Sequence, residues 1–100
     1  MGTIKWQDGQ SWGFGCTFDG NDLFQVKVSG EECGPLCDRT PDCTHYAWSK
    51  EDNGTCWIKF GPISKRNATL SKDAWDMCGL SDFSLKWKLC GNKLDLYTLN

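Results

Sequence analysis

This chain has 100 residues, of which 11 are basic and 13 acidic, so its net charge at pH 7 is −2. The length predicts one domain over residues 1–100. The scattered basic residues do not predict a nucleic-acid interface, and no apolar run is long enough to predict a membrane span. The first ten residues lack the apolar segment of a signal peptide. Seven cysteines in so short a chain are typical of a disulfide-stabilised domain from an oxidising compartment.

The N-terminal part of the chain predicts short extended segments and turns. Residues 5–15 mix aromatic residues with glycine and glutamine, which predicts an irregular segment or a short strand. Residues 19–22, with the sequence DGND, are all turn formers and predict a tight loop. Phe24, Val26 and Val28 alternate with polar residues, which predicts a half-buried strand.

A short helix is predicted to begin after Ser29. Ser29 and Glu32 have the spacing of a capping box, and the next two cysteines lie one helical turn apart on one face. Pro35 lies past the first turn and cannot donate to the helix ladder, so the alternative start has Pro35 as the first helical residue. With either start, the helix ends before Pro41.

The remaining elements are mostly strands. His45–Lys50 and Thr55–Phe60 are predicted as a β-hairpin around the turn sequence EDNG. Residues 61–76 predict a polar loop, Phe83–Leu89 alternates with a period of two and predicts a strand, and residues 94–99 predict a final strand. Together these elements predict an α+β fold in which a single short helix packs on an antiparallel β-sheet.

Zinc is one explanation for the cysteines. Cys33, Cys37, Cys43 and His45 offer the ligand types of a tetrahedral zinc site, which would make the chain a zinc-stapled intracellular module. However, the spacing gives only one ligand pair of the usual kind, and four cysteines stay unexplained. Redox exchange has less support because no C-x-x-C motif occurs. Disulfides explain more of the cysteines, so neither a metal nor a cofactor is expected.

The segment CGPLCDRTPDCTHYAW, followed by NGTCWIK, resembles the PAN/Apple domain family. The carrying features are the spacing C-x₃-C-x₅-C and two aromatic residues placed two apart. GCTFDGNDL upstream, and SKRNAT and WDMCG downstream, resemble a lectin-associated branch of that family. The resemblance covers about residues 16–79, so the two ends of the chain are extensions of the family core.

The resemblance implies a pairing of six cysteines and a class of function. The implied bridges are Cys33–Cys56, Cys37–Cys43 and Cys16–Cys78, which together would staple the helix to the sheet and tie the ends of the core. PAN/Apple domains are adhesion modules that bind proteins or carbohydrates. We therefore expect a secreted, extracellular, lectin-like module whose partner is a glycan or glycoprotein, with protein–protein adhesion or receptor binding as the alternative.

The expected carbohydrate site lies on and near the outer face of the hairpin. Sugar recognition needs an aromatic plate and a few polar groups for the hydroxyls. If Cys56 faces the helix, the outward residues and their neighbours supply both, and the candidate set is His45, Asp52, Trp57, Lys59 and Lys65. The alternative is that Trp57 covers a second layer formed by the terminal strand and that the polar groups are merely solvated.

Catalysis is not expected. The carboxylates of Asp73 and Asp76 could imitate a glycosidase pair, but a nucleophile, a base and an orienting group form no recognisable constellation in this chain. Acidic pairs in so small a chain are more often solvated loop charges, so we predict a protein that is not an enzyme.

Two further motifs have competing interpretations. Asp19, Asn21 and Asp22 offer oxygen ligands for calcium but lack the spaced set of an EF-hand, so a turn stabilised by its own side chains is favoured. Asn53 and Asn67 both begin acceptor sequons for N-glycosylation, which count only in a secreted protein. A glycan on Asn53 would crowd the expected sugar site.

Cys90 is the cysteine left over by the implied pairing. It follows the amphipathic stretch Phe83–Leu89, which could pair with its own copy and bring two Cys90 residues together in a homodimer. The alternatives are a reduced Cys90 buried under the terminal segment, or a pair between Cys16 and Cys90 that leaves Cys78 over.

Overall fold

The computed structural model describes residues 3–7 and 11–81, which form an α+β fold with one helix packed on an antiparallel sheet. The predicted fold class is confirmed. In chain order the elements are β1 (Lys5–Gln7), β2 (Trp12–Phe14), β3 (Cys16–Thr17), β4 (Asp22–Val26), α1 (Gly30–Arg39), β5 (His45–Ser49), β6 (Thr55–Lys59), β7 (Thr69–Leu70) and β8 (Met77–Leu80), with short 3₁₀ turns at Glu51–Asn53 and Lys65–Asn67.

The main sheet has the strand order β1-β2-β8-β5-β6-β4, and all its neighbours pair antiparallel. A second, two-stranded sheet pairs β3 with β7. The predicted hairpin of β5 and β6 lies in the main sheet, and β8 pairs with both β5 and β2. The strands predicted at Phe83–Leu89 and at residues 94–99, and the predictions for Cys90, lie outside the described residues.

Helix α1 begins where the capping box predicts. Ser29 is the N-cap, and its backbone N–H donates to the carboxylate of Glu32 at 3.3 Å. Pro35 therefore lies inside the helix, so the alternative start is wrong. The helix ends at Arg39, before Pro41, because a proline disfavours helical backbone in the residue preceding it.

Three disulfides connect the helix, the sheet and the ends of the described core. Cys33 on α1 is bonded to Cys56 on β6, and Cys37 on α1 is bonded to Cys43 just before β5. Cys16 on β3 is bonded to Cys78 on β8. These are the three pairs that the family resemblance implied, so the predicted pairing is confirmed.

The two faces of the main sheet are covered by different parts of the chain. We call the face that carries α1 the helix face and the opposite one the back face. On the helix face, the buried cluster contains Tyr46, Ile58 and the two disulfides of α1. On the back face, Phe18 and the Cys16–Cys78 bridge form a second cluster under β3 and the loop that follows β6. Within residues 3–7 and 11–81, no helix has the length and apolar character that a membrane crossing needs.

Candidate functional site

The structure places three of the predicted sugar-binding residues on the back face. His45 and Lys59 are direct cross-strand partners, and Trp57 pairs with Ala47 one step further along. Directly opposed residues share a face of the sheet, so the predicted facing is confirmed for these three. However, His45 is 1% exposed and Lys59 is 3% exposed, because the ring of Phe18 lies against His45 and residues 20–22 lie against Lys59.

His45 is engaged inside the fold. The ring of Phe18 meets the imidazole edge-to-face with a centroid distance of 5.1 Å. The hydroxyl of Thr44 lies 2.7 Å from Nδ1 and donates to the carbonyl of Gly61, so Nδ1 carries the proton that Thr44 accepts. Burial first, and then the charge of Lys59, lower the pKa of His45 to about 4. The imidazole is thus neutral at physiological pH and enclosed by protein.

Lys59 is likewise committed to internal contacts. Its ammonium donates to the carboxylate of Asp22 and to the carbonyl of Gly20 at 3.0 Å. This buried charge is stabilised by its partners, and it ties β6 to the turn before β4. Neither His45 nor Lys59 therefore presents a polar group to an external sugar, so the expectation that they are exposed on the back face is wrong.

The other predicted site residues do not converge on the same place. Trp57 is half-buried on the back face. Lys65 lies in a 3₁₀ turn with its ammonium 4.9 Å from the ring centre of Trp6 on β1, four strands away from β6 in the sheet order. Asp52 lies in the turn between β5 and β6, and its side chain is outside the described part of the chain. A sugar site at Trp57 on the back face stays a prediction, but the polar groups expected beside the indole are not exposed there.

The helix face carries a groove that sequence reasoning missed. The groove runs beside α1, has a volume of about 1110 Å³, and has a wall and floor rich in aromatic rings. Its main side chains, grouped by position, are Glu31 and Asp38 on the helix, Tyr46, Trp48 and Met77 on the floor, Trp12, Phe14 and Trp75 on the far wall, and Lys50 and Asn53 at one end.

Three rings form the far wall of the groove. Trp12 and Phe14 lie on the same face of β2, with ring centres 5.2 Å apart in an edge-to-face arrangement. Phe14 meets Trp75 in the same manner at 5.8 Å. Trp75 is 61% exposed, the highest value among the large apolar residues that the structure describes. An indole held by a neighbouring ring, yet open to solvent, is a ready-made contact surface.

Hydrogen bonds organise the turn that carries Trp75. The carboxylate of Asp73 accepts from the backbone N–H of Trp75 at 2.8 Å and pairs with Lys50 at 3.3 Å. Asp76 accepts from the hydroxyl of Ser71 and from the backbone N–H of Lys50. The bond from Trp75, followed by the contact with Lys50, lowers the pKa of Asp73. Both carboxylates of the imagined glycosidase pair thus hold the turn in place.

The groove floor is also held in a defined position. The indole N–H of Trp48 donates to the carbonyl of Val28 at 2.8 Å. Tyr46 is buried beneath the helix, and its ring lies over Gly79, where a Cβ atom would overlap the hydroxyl. Burial, with a contribution from Asp38, raises the pKa of Tyr46. These contacts fix the positions of Trp48 and Tyr46, and the floor that they form with Met77 is uncharged.

The metal interpretations find no support among the described residues. All three cysteines of the zinc hypothesis are bonded in disulfides, so their thiolates are not available as ligands. Asp22 of the calcium hypothesis pairs with Lys59. Within residues 3–7 and 11–81, no three histidine, cysteine, aspartate or glutamate side chains are grouped so that they could hold a metal ion.

The two glycosylation sequons differ in their position relative to the groove. Asn53 is exposed at one end of the groove. Asn67 is exposed in the turn 65–67, and its side-chain oxygen accepts from the backbone N–H of Ser64 at 3.0 Å. A glycan on Asn53 would therefore compete with any ligand at that end of the groove, whereas Asn67 does not line it.

Comparison of this chain with protein-family models, with curated proteins and with solved structures finds no match. The function is therefore inferred from the geometry of the groove and from the residues that line it.

Proposed function

We propose that this chain is a non-catalytic carbohydrate-binding module and that the helix-face groove is its ligand site. The observation that carries the proposal is Trp75, a large aromatic residue that is 61% exposed and yet fixed by Phe14 and by the turn bonded through Asp73. A protein that leaves an indole open to water loses the stabilisation of burying it. Contact with a ligand would bury the indole of Trp75 and recover that stabilisation.

The groove offers both kinds of group that sugar recognition uses. The apolar face of a pyranose ring can stack on Trp75 or Trp12, since aromatic faces attract the polarised C–H groups of sugars and shed water on contact. Carboxylate, amide and ammonium groups at the rim can bond the hydroxyls; among them are Glu31 and Asn53. Predominantly apolar walls with a few polar groups are typical of small-ligand sites.

The proposed setting is extracellular. Three disulfides indicate an oxidising environment, and their pairing is the one that the PAN/Apple resemblance implied. A lectin-associated role in that family supports a glycan or glycoprotein as partner. Secretion and membership of the family are parts of this proposal.

A glycan array, followed by calorimetry with the strongest oligosaccharide, tests the proposal. Trp75→Ala should weaken binding at least about tenfold, a loss of about 1.4 kcal/mol, and should change the free energy of unfolding by less than about 0.5 kcal/mol, as for an exposed residue. Trp57→Ala is the matched control because it removes an indole from the back face. If Trp57→Ala weakens binding and Trp75→Ala does not, the site lies on the back face instead.

Protein–protein adhesion is the second candidate, and a different surface favours it. Strand β4 ends the sheet order among the described strands, and Leu23, Phe24 and Phe60 lie at or beside it with exposures of 41%, 42% and 44%. An unpaired strand edge with apolar neighbours can accept a strand from another protein. Binding to no sugar on the array, combined with binding to a protein receptor that Phe24→Ser abolishes, would favour this function.

A further inference from the structure

The groove contains one basic side chain, and that side chain already has a partner. Among the described residues that line the groove, Lys50 is the sole lysine or arginine. Its ammonium lies 3.3 Å from the carboxylate of Asp73. An acidic ligand would need this ammonium, because a buried or half-buried anion requires a nearby cation or several donors.

Asp73 is held in its ionised form beside Lys50. One of its oxygens accepts from the backbone N–H of Trp75 at 2.8 Å, and this bond lowers the pKa of the carboxyl group. Both oxygens are thus engaged, one with the turn that carries the aromatic plate and the other with the ammonium. A ligand carboxylate would have to compete with a partner that belongs to the same molecule and is always close.

The opposite wall of the groove adds carboxylates. Glu31 is exposed in the first turn of α1, and Asp38 lies seven residues later on the same wall, about 10 Å along the helix axis. Asp38 accepts a hydrogen bond from the hydroxyl of Ser81. A negatively charged ligand in the groove would therefore meet the negative charge of the helix wall.

We infer that the groove selects neutral glycans and rejects acidic ones such as uronates, sulfated sugars and sialylated sugars. This inference rests on the proposed function, and the Lys50–Asp73 pair is the element that sets the preference. Neutral sugars lose nothing from the pairing, because their hydroxyls can donate to Glu31 or accept from Lys50 without displacing Asp73. An acidic sugar that reaches Lys50 lies close to the carboxylate of Asp73, whose negative charge already offsets that of the ammonium and repels the ligand.

An array of matched glycans tests this selectivity. Each pair has one backbone and differs in its acidic group: oligogalacturonate with its methyl ester, and N-acetyllactosamine with its 6-sulfate and its sialylated form. We expect the neutral member of a bound pair to bind about tenfold more tightly at low ionic strength. The ratio should shrink when the salt concentration is raised from about 0.05 M to about 0.5 M, because salt screens the repulsion between the charge of the ligand and the carboxylates of the groove.

Asp73→Asn isolates the role of the ion pair. Asparagine keeps an oxygen to accept from the N–H of Trp75 but releases Lys50, so the neutral-to-acidic ratio should fall to about threefold or less. Asp42→Asn removes the same charge from an exposed position that does not line the groove, and it should leave the ratio unchanged.

The outcomes separate the inference from the proposed function. Wild-type protein that binds the acidic member more tightly overturns the inference and leaves a carbohydrate-binding function in place. An Asp73→Asn variant with an unchanged ratio also overturns it, since the ion pair would then not set the preference. Wild-type protein that binds neither member of any pair overturns the proposed function, and the inference with it.

Discussion

Acid should destabilise this domain through one buried side chain, His45. The imidazole is 1% exposed, and burial together with Lys59 lowers its pKa to about 4. In the unfolded chain the group titrates near its ordinary value of about 6.5. Between these two values the unfolded chain binds a proton that the folded domain does not, so stability falls as the pH falls.

The size of the effect follows from the two pKa values. The stabilisation from a neutral His45 is fully present above about pH 6.5 and is lost as the pH falls toward 4. Between pH 7 and pH 5 the free energy of unfolding should fall by roughly 1.8 kcal/mol. Asp73, whose pKa is also lowered, stays ionised in both states over most of this window, so its contribution is lost mainly at lower pH.

Urea unfolding followed by tryptophan fluorescence, at several pH values from 7 to 4.5, measures this slope. The same series on His45→Gln is the control, because the glutamine amide keeps a side-chain N–H donor but does not titrate. We expect the variant to be less stable at pH 7 and to have a flatter pH dependence than the wild type. Equal slopes in the two proteins would refute the assignment of the acid sensitivity to His45.

Two further changes test the account of stability. A double serine substitution that removes Cys16–Cys78 should destabilise the domain by about 4 kcal/mol, and one that removes Cys37–Cys43 by about 2 kcal/mol. The first bridge closes a loop of 62 residues and the second a loop of 6, and closing the longer loop restricts the unfolded chain more. Thermal unfolding that ranks the two variants in the opposite order contradicts this. Asp22→Ala leaves the buried ammonium of Lys59 without its carboxylate and should lower the free energy of unfolding by about 2 kcal/mol, measured by denaturant unfolding. A change below about 0.5 kcal/mol would show that water replaces the carboxylate fully.

The local parts of the fold could be predicted from the sequence because local signals determine them. Ser29 and Glu32 mark the helix start by hydrogen bonds between neighbours in the chain, and the turn before Gly54 marks the hairpin, since Gly54 adopts a positive φ of 94°. The disulfide pairing followed from the resemblance to a family and not from the spacing of the cysteines.

Strand β8 could not be predicted in this way. Residues 77–80 are four apolar or small residues, and the middle two are buried, so they lack the alternation that marks a strand with one solvated face. Its place between β2 and β5 joins segments that are distant in the chain. Pairings of this kind depend on long-range packing that a single sequence does not display.

The same limit explains why the sequence indicated the wrong surroundings for His45 and Lys59. Alternation along β5 and β6 shows which residues share a face, and the structure confirms this for Trp57 as well. Alternation does not show what covers that face, and here Phe18 and its neighbours lie across it. The groove was not predicted because its aromatic wall and its helix wall are distant in the sequence. The pairing of β2 with β8 brings Trp12 and Trp75 to the side of the sheet that carries α1.

The most direct test of the groove as a carbohydrate site is the set of indole N–H signals in a ¹H–¹⁵N NMR titration. The chain has six tryptophans, which can be assigned by single substitution and then followed as the strongest neutral oligosaccharide from the array is added. We predict that the signals of Trp12 and Trp75 shift in a saturable manner, while those of Trp6 and Trp57 do not. Saturable shifts confined to Trp57 or Trp6 would contradict the account and place the sugar on the back face.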